Sequence, residues 1–150
     1  MLSAIERKLA PSASLRRLAD PLLRVLTSLI FIIGGLGHFG QHQVMLDRME
    51  ESPWRDVIVA IADPALLLWL SGAVFVVFGV TLALGLATRL SALLLFITLV
   101  PITITIHIAP GHVGPLFKNI AIMGALLFIA ARGPGAFALD SRWLRDPDSS

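Results

Sequence analysis

The stretch DPALLLWLSGAVFVVFGVTLALGLATRLSALLLFITLV, residues 63–100, decides the fold of this chain. It contains two long apolar runs with only the turn GLATRL, residues 85–90, between them. An α-helix of ~20 apolar residues spans the ~30 Å hydrocarbon core of a bilayer. We therefore predict two antiparallel transmembrane helices that lie side by side. Asp63 and Pro64 supply an N-cap and a first-turn proline for the first of these helices.

The rest of the chain extends the same pattern. Hydrophobic residues make up 56% of the 150 residues and charged residues 15%, and the mean hydropathy is +0.83. This composition lies outside the range of soluble domains and leaves no room for a separate soluble catalytic domain. The windows long enough to span a bilayer are 21–40, 64–87, 88–108 and 114–132. The sequence therefore predicts an all-α fold, a four-transmembrane-helix bundle.

Two segments need more local interpretation. Asp20-Pro21 repeats the Asp-Pro pattern and predicts that the first transmembrane helix starts there. Residues 41–63 are too many for a structureless loop, and Ser52-Pro53 can open a helix. We expect a short extracytoplasmic helix between helices 1 and 2, with Trp54 as an interfacial anchor. ITITIHI, residues 102–108, alternates like a strand, but lipid excludes an open strand, so we expect helix there.

Basic residues predict the orientation in the membrane. The positive-inside rule places both termini in the cytoplasm. Residues 1–20 then form a cytoplasmic basic tail, 21–135 the four-helix membrane domain, and 136–150 a cytoplasmic C-terminal tail. The expected inner side carries Arg7, Lys8, Arg16, Arg17, Arg24, Arg89, Arg132, Arg142 and Arg145, and the outer side only Arg48, Arg55 and Lys118. This asymmetry explains the basic pI without nucleic acid as a partner.

Polar residues from three helices meet near the predicted outer face. His38 is the eighteenth residue from Pro21, about 26 Å up its helix. It shares one helix face with a stripe that includes Thr27, Phe31 and Gly34, and such stripes are typical of helix contacts in membranes. The residues predicted at this level are His38, His107, Lys118 and Asn119.

This cluster suits hydrogen bonding to a polar headgroup whose tail lies in lipid, and a quinone is the candidate cofactor. Two histidines without an inward carboxylate fall short of a metal site, so we predict no metal. Since the chain has no cysteine, a Cys-ligated cofactor is excluded. The alternative is that these residues cap helix ends or meet lipid headgroups. Phe39, Trp69 and Phe117 lie near the same level and could line a planar ligand.

At the other end of the bundle, Arg89, Arg132 and Asp140 admit two interpretations. They could form an ion-pair clasp, or the arginines could serve only as topology determinants.

Several motifs together resemble the DoxX family of small four-helix membrane proteins, over roughly residues 22–140. They are GxxHF from Gly35 to Phe39, GLATRLSALLL at 85–95, a third helix ending in histidine, KNIAIMGALLFIAA at 118–131 and GPGAFALD at 133–140. The resemblance implies a four-helix bundle in the bacterial inner membrane, and one branch of the family supplies subunits of a thiosulfate:quinone oxidoreductase. The four clustered residues match positions where the family tends to be polar. Phe75 stands where many members carry a glutamate.

The favoured hypothesis is a quinone-interacting or accessory subunit of a membrane redox complex, with the lipid bilayer and other membrane or periplasmic subunits as partners. The rival is a structural or assembly subunit that binds no ligand. A small-solute transporter is a third hypothesis, but four helices of this length leave little lumen.

Overall fold

The chain forms a bundle of long helices. The computed structural model describes residues 10–108, 111 and 113–143. Four of its helical stretches are long and apolar enough to cross a membrane, which confirms the predicted fold class. The elements in chain order are α1 (Ala13–Gly40), α2 (His42–Glu50), α3 (Arg55–Ile61), α4 (Pro64–Leu84), α5 (Thr88–Ile102), a π-helical turn (Thr103–His107), α6 (Val113–Arg132) and α7 (Asp140–Trp143).

Helix α1 starts earlier than predicted, because Ser12 rather than Asp20 is its N-cap. The Ser12 hydroxyl accepts a hydrogen bond from the Leu15 N–H at 3.2 Å. Helix α1 therefore has 28 residues, about 42 Å at 1.5 Å per residue, which exceeds the ~30 Å hydrocarbon core. Pro21 lies inside it, and the prediction that Asp20-Pro21 begins the helix is wrong. Residues 1–9 and 144–150 of the predicted tails lie outside the described residues.

The connection between α1 and α4 is helical, as predicted, but it contains two short helices, α2 and α3. The Ser52 hydroxyl accepts a hydrogen bond from the Trp54 N–H at 3.1 Å in the turn between them. Asp63 then caps α4 as predicted, since its carboxylate accepts from the Leu66 N–H at 3.0 Å. We call the end of the bundle that carries α2 and α3 the far end, and the end where α1 begins and α6 finishes the terminal end.

Helices α1 and α4 approach closely where glycines face each other. A Cβ atom built on Gly35 would lie 2.8 Å from the carbonyl oxygen of Gly72. The predicted stripe on α1 is confirmed at Thr27 and Phe31, which are buried. Gly34 belongs to the predicted stripe but makes no close helix contact, since a Cβ there would meet nothing within 4 Å. The bundle core consists of Phe31, Phe75, Leu82, Ala92, Leu95, Leu99, Leu126 and Ile129.

The terminal end is closed by the segment after α6. Arg24, only 3% exposed, donates from its guanidinium to the carbonyl oxygens of Pro134 and Ala136. Nε of Arg24 is buried and has no hydrogen-bond partner among the described residues. A buried arginine thus fixes this segment against α1, because it satisfies carbonyl groups that would otherwise be unpaired.

Asp140, in α7, caps the start of α5. Its carboxylate accepts from the N–H groups of Ala87 (2.7 Å) and Thr88 (2.8 Å) and from the Thr88 hydroxyl (2.8 Å). Burial opposes ionisation of this carboxylate, but these hydrogen bonds and the nearby charge of Arg24 outweigh it and lower the pKa of Asp140.

The ion-pair clasp among Arg89, Arg132 and Asp140 is wrong as an interpretation, because each binds a different partner. Arg132 forms an ion pair with Asp20, with 2.6 Å between Nε and Oδ1. Arg89 donates to the carbonyl oxygens of Ala130 (3.1 Å) and Ala131 (3.2 Å), which caps the last turn of α6.

Candidate functional site

A cavity of about 410 Å³ lies at the far end of the bundle. Its volume falls within the roughly 300–1,000 Å³ of typical small-molecule sites. Most of its lining is aliphatic or methionine side chains from α2 to α5 and the π-helical turn. The polar lining residues are His38, Arg48, Ser71, Thr98, Thr105 and His107. The cavity is therefore mainly apolar, with a few polar groups that could orient a headgroup.

His38 occupies the last turns of α1 and is held by α4. Its Nδ1 lies 3.0 Å from the Ser71 hydroxyl and 3.3 Å from the Leu68 carbonyl oxygen. The Ser71 hydroxyl in turn lies 3.0 Å from the same carbonyl, to which it donates. Since a carbonyl can only accept, this network assigns the proton of a neutral His38 to Nδ1 and leaves Nε2 as an acceptor. The ring also packs against Phe75, with 5.4 Å between centroids.

His107 reaches the same cavity from the π-helical turn that ends the third membrane span. Pro101, two residues before this turn, lacks the N–H that a regular helix uses. Isolated π-helical turns occur frequently at functional sites. The structure thus brings together His38 and His107, two of the four residues that the sequence placed in a cluster.

Lys118 and Asn119 do not line this cavity. Lys118 is exposed on α6. Asn119 is only 4% exposed, and its side-chain amide donates to the Thr103 hydroxyl at 3.0 Å. Asn119 therefore fastens α6 to the π-helical turn beside the cavity, and the predicted four-residue cluster divides into a cavity pair, a helix contact and a surface lysine.

The suggested aromatic lining is wrong for all three residues, since Phe39, Trp69 and Phe117 do not contact the cavity. Phe39 and Trp69 instead pack on each other with 5.0 Å between ring centroids. Phe117 is exposed on α6.

Arg48 and Ser71 line the cavity but were not predicted from the sequence. Arg48 lies on α2, which was not predicted as a separate helix. Ser71 could have been predicted once Asp63 fixed the start of α4. Residues 67, 71 and 74 share one face of that helix, and Leu67 and Val74 also line the cavity.

A metal centre has no support in the described part of the chain. Within residues 10–108, 111 and 113–143, no three His, Asp or Glu side chains come together as metal ligands.

The cavity is partly open rather than sealed. Ile61 on α3 and Leu70 on α4 both line it and are exposed on the outside of the bundle, at 64% and 55%. Leu70 lies within a membrane-spanning stretch, so this part of the cavity wall lies at the depth of the bilayer.

Comparison with known proteins gives two matches. The family profile of DoxX matches residues 19–108. The inner membrane protein YphA of Escherichia coli (strain K12) is 33% identical over 133 residues, which cover 81% of this chain and 87% of the relative. No solved structure matches the chain.

Proposed function

This chain belongs to the DoxX family, and we propose that it is a quinone-interacting or accessory subunit of a membrane redox complex in the bacterial inner membrane. The observation that carries the proposal is the apolar cavity that His38 and His107 share. A quinone combines an apolar ring and tail with two polar oxygens. An apolar cavity with a few oriented polar groups matches that combination.

The exposed apolar residues in the cavity lining support a lipid-soluble ligand. Quinones partition into the hydrocarbon of the bilayer, and the exposed lining residues Ile61 and Leu70 lie where such a ligand would enter. Its headgroup would meet His38 and His107 while its tail stayed among lipid chains.

We propose that both termini lie in the cytoplasm, following the distribution of Lys and Arg. The far end and its cavity would then be at the periplasmic surface. Acidic residues on α2, α3 and their flanks are exposed there, and they give protein subunits on that side a surface to bind. These residues are Asp47, Glu50, Glu51, Asp56 and Asp63.

The test compares the quinone content of purified proteins. Wild type and the His38→Ala/His107→Ala double variant are purified in mild detergent, and bound quinone is extracted and quantified. The matched control is His42→Ala, because His42 lies only four residues from His38, packs on Trp69 at 5.2 Å between centroids and does not line the cavity. Thermal unfolding of all three proteins reports whether they are equally folded.

We expect about one quinone per wild-type and per His42→Ala protein, and loss of quinone from the double variant. Equal background amounts in all three proteins would refute the proposal and favour the structural or assembly role. Loss of quinone from the control as well would show that the cavity histidines are not specifically required.

A further inference from the structure

The three hydroxyl groups that line the cavity share one property, which is that each donates its proton to a backbone carbonyl oxygen of the protein. The Thr98 hydroxyl donates to the Leu94 carbonyl oxygen at 2.8 Å, and the Thr105 hydroxyl donates to the Pro101 carbonyl oxygen at 2.8 Å. The Ser71 hydroxyl donates to Leu68. A hydroxyl has one proton and two acceptor lone pairs, so while it keeps its bond to the backbone each of these three groups can accept a hydrogen bond from a ligand but not donate one.

His38 adds a fourth acceptor. Its Nδ1 proton points to the Ser71 hydroxyl and the Leu68 carbonyl, so the other ring nitrogen, Nε2, carries a lone pair when the imidazole is neutral. Nε2 makes no hydrogen bond within the part of the chain that the structure describes.

Donors are fewer among the lining residues. Arg48 can donate, but it lies on α2 and is exposed, so water competes for its guanidinium. Pro101 lines the cavity and has no N–H at all. His107 already interacts within the protein, and whether each of its ring nitrogens donates or accepts depends on its tautomer. Four of the six polar lining side chains therefore present acceptors to a ligand.

From this inventory we infer that the cavity binds the quinol, the reduced form with two hydroxyl groups, more tightly than the oxidised quinone. This inference rests on the proposed function. Quinone carbonyl oxygens can only accept hydrogen bonds. Beside the serine, threonine and imidazole acceptors they find no proton donor, so no hydrogen bond forms. Quinol hydroxyls donate, and each can satisfy one of these acceptors.

The expected size of the preference is about tenfold, the value of one additional net hydrogen bond in a partly open site. Tighter binding of the reduced form raises the midpoint potential of the bound couple. For a two-electron couple, a tenfold difference corresponds to about 30 mV.

The experiment measures the dissociation constants of decylubiquinol and decylubiquinone. Quinone-depleted wild-type protein in lipid nanodiscs is titrated with each form under anaerobic conditions. Thr98→Val and Thr105→Val remove one hydroxyl each with little change in side-chain volume. The matched control is Thr81→Val, whose hydroxyl bonds Ser91 at 2.8 Å between α4 and α5 and does not line the cavity.

We expect wild type and Thr81→Val to bind the quinol about tenfold more tightly than the quinone, and the two cavity variants to show a reduced preference. Equal affinities, or tighter binding of the quinone, would overturn this inference and leave the proposed function standing. An unchanged preference in both cavity variants would overturn the assignment of this preference to the Thr98 and Thr105 hydroxyls. If neither form binds, both the inference and the proposed function fail.

Discussion

Substitution of Gly35 with alanine is expected to force α1 away from α4 and to weaken the fold. The new Cβ would lie 2.8 Å from the Gly72 carbonyl oxygen and 2.9 Å from Cβ of Phe75, whereas ordinary contacts begin at 3.4 Å. The nearest atoms include backbone, so a side-chain rotation cannot relieve the overlap. The helices must therefore separate by about 0.5 Å or more in a close-packed interface.

Overpacking of this kind typically costs about 1–3 kcal/mol. For a chain of this size each kcal/mol lowers the unfolding midpoint by about 2–4 °C, so we expect a decrease of about 2–12 °C. The assay is thermal unfolding in mild detergent, followed by intrinsic tryptophan fluorescence. Because His38 lies one turn after Gly35 and contacts the same helix, the variant should also bind quinone more weakly.

Gly34→Ala is the matched control, because a Cβ at this neighbouring position meets nothing within 4 Å. Alanine is favoured over glycine in a helix interior by about 1 kcal/mol, so the control should be as stable as wild type or more stable. The explanation would be refuted if Gly35→Ala unfolded at the wild-type temperature, or if Gly34→Ala were destabilised to the same extent.

Three further predictions concern single hydrogen-bonding groups. Hydrogen bonds to the start of α5 and the charge of Arg24 lower the pKa of the Asp140 carboxylate. The ionised carboxylate therefore stabilises the fold above the ordinary aspartate pKa of about 3.9. This stabilisation is lost as the pH falls through the lower pKa of the folded state. Asp140→Asn should therefore flatten the acid limb of a plot of unfolding temperature against pH, and an unchanged limb would contradict this origin. Ser52→Ala removes the hydroxyl that donates to the carbonyl oxygen of Thr105, so backbone hydrogen exchange in residues 42–61 should become faster. Unaltered exchange would show that this bond does not hold α2 and α3 against the π-helical turn. Asn119→Leu breaks the bond to the Thr103 hydroxyl and should cost about 0.6 kcal/mol in thermal unfolding; a loss of quinone binding without loss of stability would instead assign Asn119 to the ligand site.

The four membrane spans could be predicted because length and hydrophobicity decide them. The N-cap of α4 could also be predicted, since Asp63 is followed by proline and no competing cap lies nearby. The same pattern misled at Asp20, because Ser12 caps the helix earlier and the residues between them continue it. Local sequence could not show that the Asp20 carboxylate serves Arg132, which is more than 100 positions away.

The candidate site could be predicted only in part. Helical register and height placed His38 and His107 near one level, and both line the cavity. Height alone could not separate them from Lys118 and Asn119, because the rotation of α6 about its axis depends on packing against α5 and the π-helical turn. Arg48 could not be found because the path of residues 41–63 over the bundle is set by tertiary contacts.

The central claim is that the cavity between His38 and His107 binds a quinone headgroup, and photoaffinity labelling tests it most directly. Wild-type protein in nanodiscs is irradiated with an azidoquinone, digested, and the modified peptides are identified by mass spectrometry. We predict labels within 38–49, 67–74 and 98–107, the segments that contain most of the cavity lining, and their suppression by excess unlabelled quinone. Labels spread over the lipid-facing surface, or labels that excess quinone does not suppress, would contradict the claim.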